Sequence, residues 1–242
     1  MNLRVAWLVA MGAAFGSVVV AQDNVMKPAA VAATQFVRLA AFDFAVLLPA
    51  PPPAGSLAAR VDLEAVLQVQ AWRTPEQIAW AKLVENDHVF NHAALLGAWF
   101  TAEGLPLTAA FFTAIGDDLR AIDPVAKQPF RRARPWAVDE RVQPCVAQPA
   151  STSYPSGSAT QAFVWAELLA EMIPAKRDEL LARAHRAAWG RVLGGVHFPS
   201  DVVIGEIVAR AYLAEARKSA AFREAQERSR NEVNAAVRGA GP

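Results

Sequence analysis

Beyond residue 56 the apolar positions recur three and four apart, the spacing that gathers them on one face of a helix. Alanine and leucine dominate these stretches, and strand-like alternation is scarce. Ser56 is placed to cap a helix over Leu57 to Trp72. Thr74-Pro75-Glu76-Gln77 combines a capping box with proline at the first helical position, so a second helix is expected to run towards Phe90. A third is expected from Pro106 to about Asp123, where Pro124 stops it. The helical pattern resumes over 158–172, 175–190 and 200–216. A polar helix over 219–237 follows and reads as a solvated face or an oligomer contact. The pattern predicts an all-α, single-domain helical bundle.

Two stretches break it. Residues 47–56 are proline-rich and read as polyproline-like. Residues 124–157 carry prolines at 124, 129, 135, 144, 149 and 155 and few periodic apolar positions. A long irregular segment inside a compact domain is usually functional, which puts the active site in loops at helix ends.

Residues 1–21 read as a signal peptide: Arg4 precedes the apolar stretch Val5 to Val20, and small residues offer cleavage before Gln22, the alternative being an uncleaved N-terminal anchor. The expected mature chain is one exported domain over 22–242, with no membrane contact after signal removal. Later apolar stretches are broken by Arg38 and Asp43, or by Glu103, Gly104 and Pro106. A net charge of +1 gives no reason to expect a nucleic-acid partner. The single cysteine, Cys145, excludes an internal disulfide framework.

The chemistry-bearing residues fall in three segments. Lys127 is followed by Arg134-Pro135, then comes Tyr154-Pro155-Ser156-Gly157-Ser158, and then Gly190-Arg191 leads to His197-Phe198-Pro199-Ser200-Asp201. Arginine grips phosphate oxygens through its planar fork and lysine adds a point charge. Ser156 and Gly157 stand at a loop-to-helix junction, where free N–H groups favour an anion. Ser158-Ala159-Thr160-Gln161 also matches a capping box. Gly194-Gly195 ends one helix and Pro199 begins the next, so His197 is expected just before that helix and Asp201 in its first turn. A carboxylate there can take the proton side of the imidazole and leave the other nitrogen free to attack an electrophile.

These three segments resemble the tripartite signature shared by type 2 phosphatidic acid phosphatases, bacterial class A acid phosphatases and vanadium haloperoxidases. Over roughly residues 45–230 the chain is similar to the class A non-specific acid phosphatases. The resemblance implies an all-α fold, phosphate monoester substrates, no metal or other cofactor, and a homodimer. It implies that His197 is the nucleophile, forming a phosphohistidine, and that Asp201 orients it. Lys127, Arg134, Ser156, Gly157 and Arg191 would bind the phosphoryl oxygens, and inorganic phosphate or vanadate would inhibit.

The chain departs from the signature at Ser158, where the family has the histidine that protonates the leaving group. A serine hydroxyl is too weak an acid for that task, and losing a general acid typically costs about 10²–10⁴-fold in rate. His88, His92, His185, Asp139 and Glu140 are candidates to replace it. His88 and His92 also have helical spacing for a metal, but no third ligand follows at recognisable spacing. The function expected is a secreted, metal-independent acid phosphatase. The alternatives are a phosphate-binding pseudoenzyme with little turnover, or a vanadate-dependent haloperoxidase.

Overall fold

The computed structural model describes residues 33–239, so the signal-peptide reading of 1–21 lies outside the described residues. Within them the chain forms ten α-helices, four short 3-10 turns and no strand. In order these are α1 (Phe44–Leu47), α2 (Leu57–Trp72), α3 (Pro75–Leu83), α4 (Ala93–Leu96), α5 (Pro106–Lys127), α6 (Pro135–Val138), α7 (Gly157–Met172), α8 (Arg177–Leu193), α9 (Pro199–Ala216) and α10 (Ala220–Gly239). No helix among the described residues is long and apolar enough to cross a membrane.

Helix α7 is apolar nearly all round, and its Ala159, Val164, Ala166, Leu168 and Leu169 are wholly buried. A helix of that kind belongs in the centre, and α5, α8 and α9 pack around it. Its contact with α9 is close because α9 carries Gly205 there: a Cβ would meet the Ala159 Cβ at 2.7 Å and the Ser156 carbonyl at 2.9 Å. Truncating a central side chain such as Leu168 to alanine is expected to cost about 2–5 kcal/mol. The amphipathic α10 lies against α5 and completes it at one end. Leu105 offers α5 no side-chain cap, and Glu232 of α10 accepts from the Leu107 and Thr108 N–H groups at 3.0 and 2.8 Å.

Local capping behaves as the sequence predicts at two helices. Ser56 Oγ accepts from Ala59 N, and Thr74 and Gln77 form the reciprocal box at the start of α3. Three expectations need correction. Helix α3 stops at Leu83 instead of running towards Phe90, because Asp87 takes over the backbone. Its carboxylate accepts from His88 N at 3.1 Å and Asn91 Nδ2 at 3.0 Å, and holds both arms of Arg183 at 2.9 Å. Helix α5 runs through Pro124 to Lys127. Proline removes one N–H from the ladder, but the last turn is tied down by Lys127, whose Nζ reaches Asp123 Oδ1 at 2.7 Å and the Pro155 carbonyl at 2.6 Å. The cap of α7 is Ser156 and not Ser158: Ser156 Oγ accepts from Ala159 N, and Gln161 turns away to the Asp87 carbonyl.

Candidate active site

The ends of α5, α7, α8 and α9 converge with the proline-rich segment around His197 and Asp201. Helix α8 ends at Leu193 and α9 begins at Pro199, leaving His197 just ahead of a new helix and Asp201 in its first turn. Asp201 is wholly buried and saturated with donors. Its Oδ2 accepts from Phe198 N at 2.9 Å, from His197 Nδ1 at 3.2 Å and from the Ser153 hydroxyl, and its Oδ1 accepts from Arg132 Nη1 at 2.7 Å. Burial works against its charge, but the pull of His197, Arg132 and Ser153 prevails and holds the carboxyl below its ordinary range.

That carboxylate fixes the imidazole. With Asp201 accepting at Nδ1, the ring proton sits there and Nε2 keeps its lone pair, which accepts from Arg134 Nη1 at 2.9 Å. Burial pulls the His197 pKa down to about 3, overcoming the opposing effect of Asp201. The ring therefore stays neutral, with a free nitrogen, well into the acid range.

A cavity of about 410 Å³ opens in front of this ring and is lined by Lys127, Arg134, Gly157, Ser158, Arg191 and His197 among others. Ser156 and Asp201 stand behind the wall, both wholly buried, so neither touches the cavity directly. The three cations differ. Arg134 is engaged with the Ser151 carbonyl and hydroxyl, the Val196 carbonyl and His197. Lys127 is paired with Asp123. Arg191 is 5% exposed, and its Nε and Nη1 have no hydrogen-bond partner among the described residues. Burial depresses the pKa of all three, that of Arg134 to about 10, which means each gains from an arriving anion.

Gly157 begins α7 at the cavity wall, where a Cβ would run into Asp123 Oδ1 and force that carboxylate to move. The absence of a side chain leaves the first-turn N–H groups approachable, as anion binding at a helix N-terminus requires. Ser158 Oγ lies 3.4 Å from Ser156 Oγ.

The replacements considered for Ser158 are elsewhere. His88 accepts from Phe90 N, His92 is buried against the Val89 carbonyl and Arg183, His185 packs on Phe163, and Asp139 pairs with Arg141. None of them, nor Glu140, lines the cavity. Its acids are Glu85, Asp87 and Asp123. Arg132, which the sequence offers with Arg131 and Arg134 as a local anion-binding cluster, faces the protein instead and joins Asp62, Ser153 and Ser200 in the lattice behind His197: Arg132 Nη2 donates to Asp62 at 2.8 Å, and Ser200 N donates to Asp62 at 3.2 Å. Asp123, one helical turn before Lys127, was legible in principle but was read as the end of its helix. Among the described residues no three His, Cys, Asp or Glu side chains converge as a metal cage.

Residues 106–223, which hold His197, Asp201, Ser158 and the three cations, match the PAP2 superfamily family model. The chain carries a PAP2 superfamily domain. It is 26% identical over 205 residues to a non-specific acid phosphatase of Providencia stuartii, covering 79% of this chain and 81% of that one. An acid phosphatase of Zymomonas mobilis is 37% identical over 84 residues, 35% of this chain and 32% of its own. Among solved structures, an apo bacterial vanadium-dependent chloroperoxidase superposes with a TM-score of 0.61 at 13% identity, covering 83% of this chain and 55% of that chain. A bacterial vanadium-dependent iodoperoxidase gives 0.56 at 18% identity, covering 72% and 53%. The chain thus spans about half the length of these haloperoxidases and shares their helical fold.

Proposed function

We propose that this PAP2 domain is a metal-independent acid phosphatase acting on phosphate monoesters through a phosphohistidine. The observation that carries the reading is the pairing of a neutral His197 with Arg191, a buried guanidinium whose Nε and Nη1 have no partner among the described residues, at the wall of the same cavity. Arg191, Lys127 and the N-terminus of α7 would hold the phosphoryl oxygens. Arg134 would exchange its bond to His197 Nε2 for one to the substrate, releasing the lone pair. Nε2 then attacks phosphorus, the P–O bond to the alcohol breaks, the alkoxide leaves and takes its proton from solvent, and the positive charge on the ring is stabilised by Asp201. Water next attacks phosphorus and loses a proton to solvent as the P–N bond breaks, giving phosphate and restoring the neutral imidazole. The relatives named acid phosphatases support the reaction class. The low pKa of His197 supports turnover in acid, because the nucleophile remains unprotonated there. Periplasmic or secreted location and removal of residues 1–21 belong to the same proposal.

The test is hydrolysis of p-nitrophenyl phosphate with and without EDTA, together with trapping of an acid-labile phosphoenzyme. Turnover is expected to survive EDTA, and His197→Ala is expected to lose both turnover and the phosphoenzyme. Near-normal hydrolysis by His197→Ala would sink the mechanism. Tight phosphate binding with no turnover by the wild type would favour a binding protein instead, a reading that Ser158 makes specific by leaving no histidine other than His197 at the cavity wall.

A further inference from the structure

A second cavity, of about 310 Å³, adjoins the first, and the two share Asp87, Arg120, Gln161 and Trp165. Their arrangement follows from two helix faces. On α5, Thr113, Gly116, Arg120, Asp123 and Lys127 recur at spacings of three and four and so form one stripe. On α7, Ser158, Gln161 and Trp165 do the same. The helices run antiparallel, since the last residue of α5, Lys127, bonds the Pro155 carbonyl just before α7 begins. The cleft between them therefore starts at the anion-binding end and extends away along both helices. From Lys127 back to Thr113 is about 20 Å at the helical rise per residue.

The character of the cleft changes along this path. Its near end holds Lys127, Arg191 and the start of α7, while its far end is walled by Val89, Phe90 and Phe112. Arg120 stands at the junction: the edge of its largely exposed guanidinium pairs with Asp117, which leaves the planar face available to a ring. The chemistry at Ser158 points to the same class of substrate. With no histidine besides His197 at the wall, esters whose alcohol departs as a stabilised phenolate are cleaved most easily.

We infer that the site selects phosphate monoesters of aromatic alcohols, the phosphate sitting before His197 and the ring lying in the α5–α7 cleft. The inference rests on the phosphomonoesterase reading for its chemistry, but its geometry can be tested without turnover. Methylphosphonate, benzylphosphonate and 2-naphthylmethylphosphonate share a head group and differ in the part that would enter the cleft, and none of them is hydrolysed. Their dissociation constants, measured by calorimetry on the full chain, are expected to fall in that order, the naphthyl compound binding at least about tenfold tighter than the methyl one from apolar burial. Thr113→Trp fills the cleft from an exposed position, and Gly116→Val fills it from the α5 face, where a Cβ would meet only Arg120 Nη1 at 3.4 Å. In both variants the naphthyl advantage is expected to shrink to within about twofold. Equal affinities in the wild type, or an advantage that survives both variants, would overturn the inference. An aryl advantage in a protein that hydrolyses no ester would uphold the subsite and defeat the phosphatase reading instead.

Discussion

Arg132 and Arg191 both bury their guanidinium groups in this site, and they use them in opposite ways. Arg132 is spent on the protein: it bonds Asp62, Ser200 and Asp201 and lies 3.9 Å over the Phe198 ring. Arg191 offers its charge to the cavity and keeps two nitrogens without partners among the described residues. A buried cation with every donor satisfied is scaffold, whereas a buried cation without partners is a cost that an anionic ligand can repay. The same division runs through the whole site. Asp62, Arg132, Ser153 and Asp201 fix the imidazole from behind, while Lys127, Arg191 and Ser158 face what binds in front.

The sharpest way to break this division is at Ser158, on the binding side. If a missing proton donor limits turnover, Ser158→His should raise hydrolysis of alkyl phosphates such as glycerol phosphate by up to about 10²–10⁴-fold, with a much smaller gain for p-nitrophenyl phosphate. The measurement is the ratio of kcat/KM for the two esters in both proteins. An unchanged ratio would mean that a cavity acid, Glu85, Asp87 or Asp123, already supplies the proton.

The two arginines give the next test, and it should separate stability from binding. Arg132→Ala leaves the buried Asp62 and Asp201 carboxylates uncompensated, a loss of about 3–5 kcal/mol. For a domain of this size that lowers Tm by on the order of 10 °C. Arg191→Ala removes a cation whose Nε and Nη1 have no partner among the described residues, so Tm should hold or rise while phosphate and vanadate inhibition weakens by about a hundredfold. Equal loss of Tm in both variants would erase the distinction between scaffold and ligand-facing charge.

What could be read from the sequence follows the range of the interactions. Ser56, and Thr74 with Gln77, make caps whose partners lie three residues away, so local rules suffice for them. His197 and Asp201 are four residues apart across a helix start, and their pairing was legible for the same reason. Pro124 misled because a local rule met a tertiary tie: Lys127 reaches across to Pro155 and holds the last turn of α5. The capping match at Ser158 failed because Ser156 was already the better placed cap. Asp62 lies 70 residues from Arg132 and 138 from Ser200, and no periodicity or spacing connects them. The contrast between Arg134 and Arg191 was equally hidden, since the motif treats both as phosphate ligands and only the fold reveals which has partners.

The smallest effect is expected at Asp123, where the division is least clean. Its carboxylate pairs with Lys127 and sits against Gly157, so it holds a binding-side cation in place while putting negative charge beside the anion site. These roles have opposite signs. In Asp123→Asn the amide oxygen still accepts from Lys127, but the charge is gone. Phosphate should then bind about tenfold tighter, because a like charge a few ångströms away at an effective dielectric near 20 costs on the order of a kcal/mol or more. Lys127, which is buried, loses its counter-ion in the same variant, so Tm without phosphate should fall and saturating phosphate should recover more of it than in the wild type. Thermal melts across a phosphate titration read both quantities at once. Weaker phosphate binding in Asp123→Asn would show that fixing the position of Lys127 outweighs repulsion, and would move Asp123 to the scaffold side with Arg132.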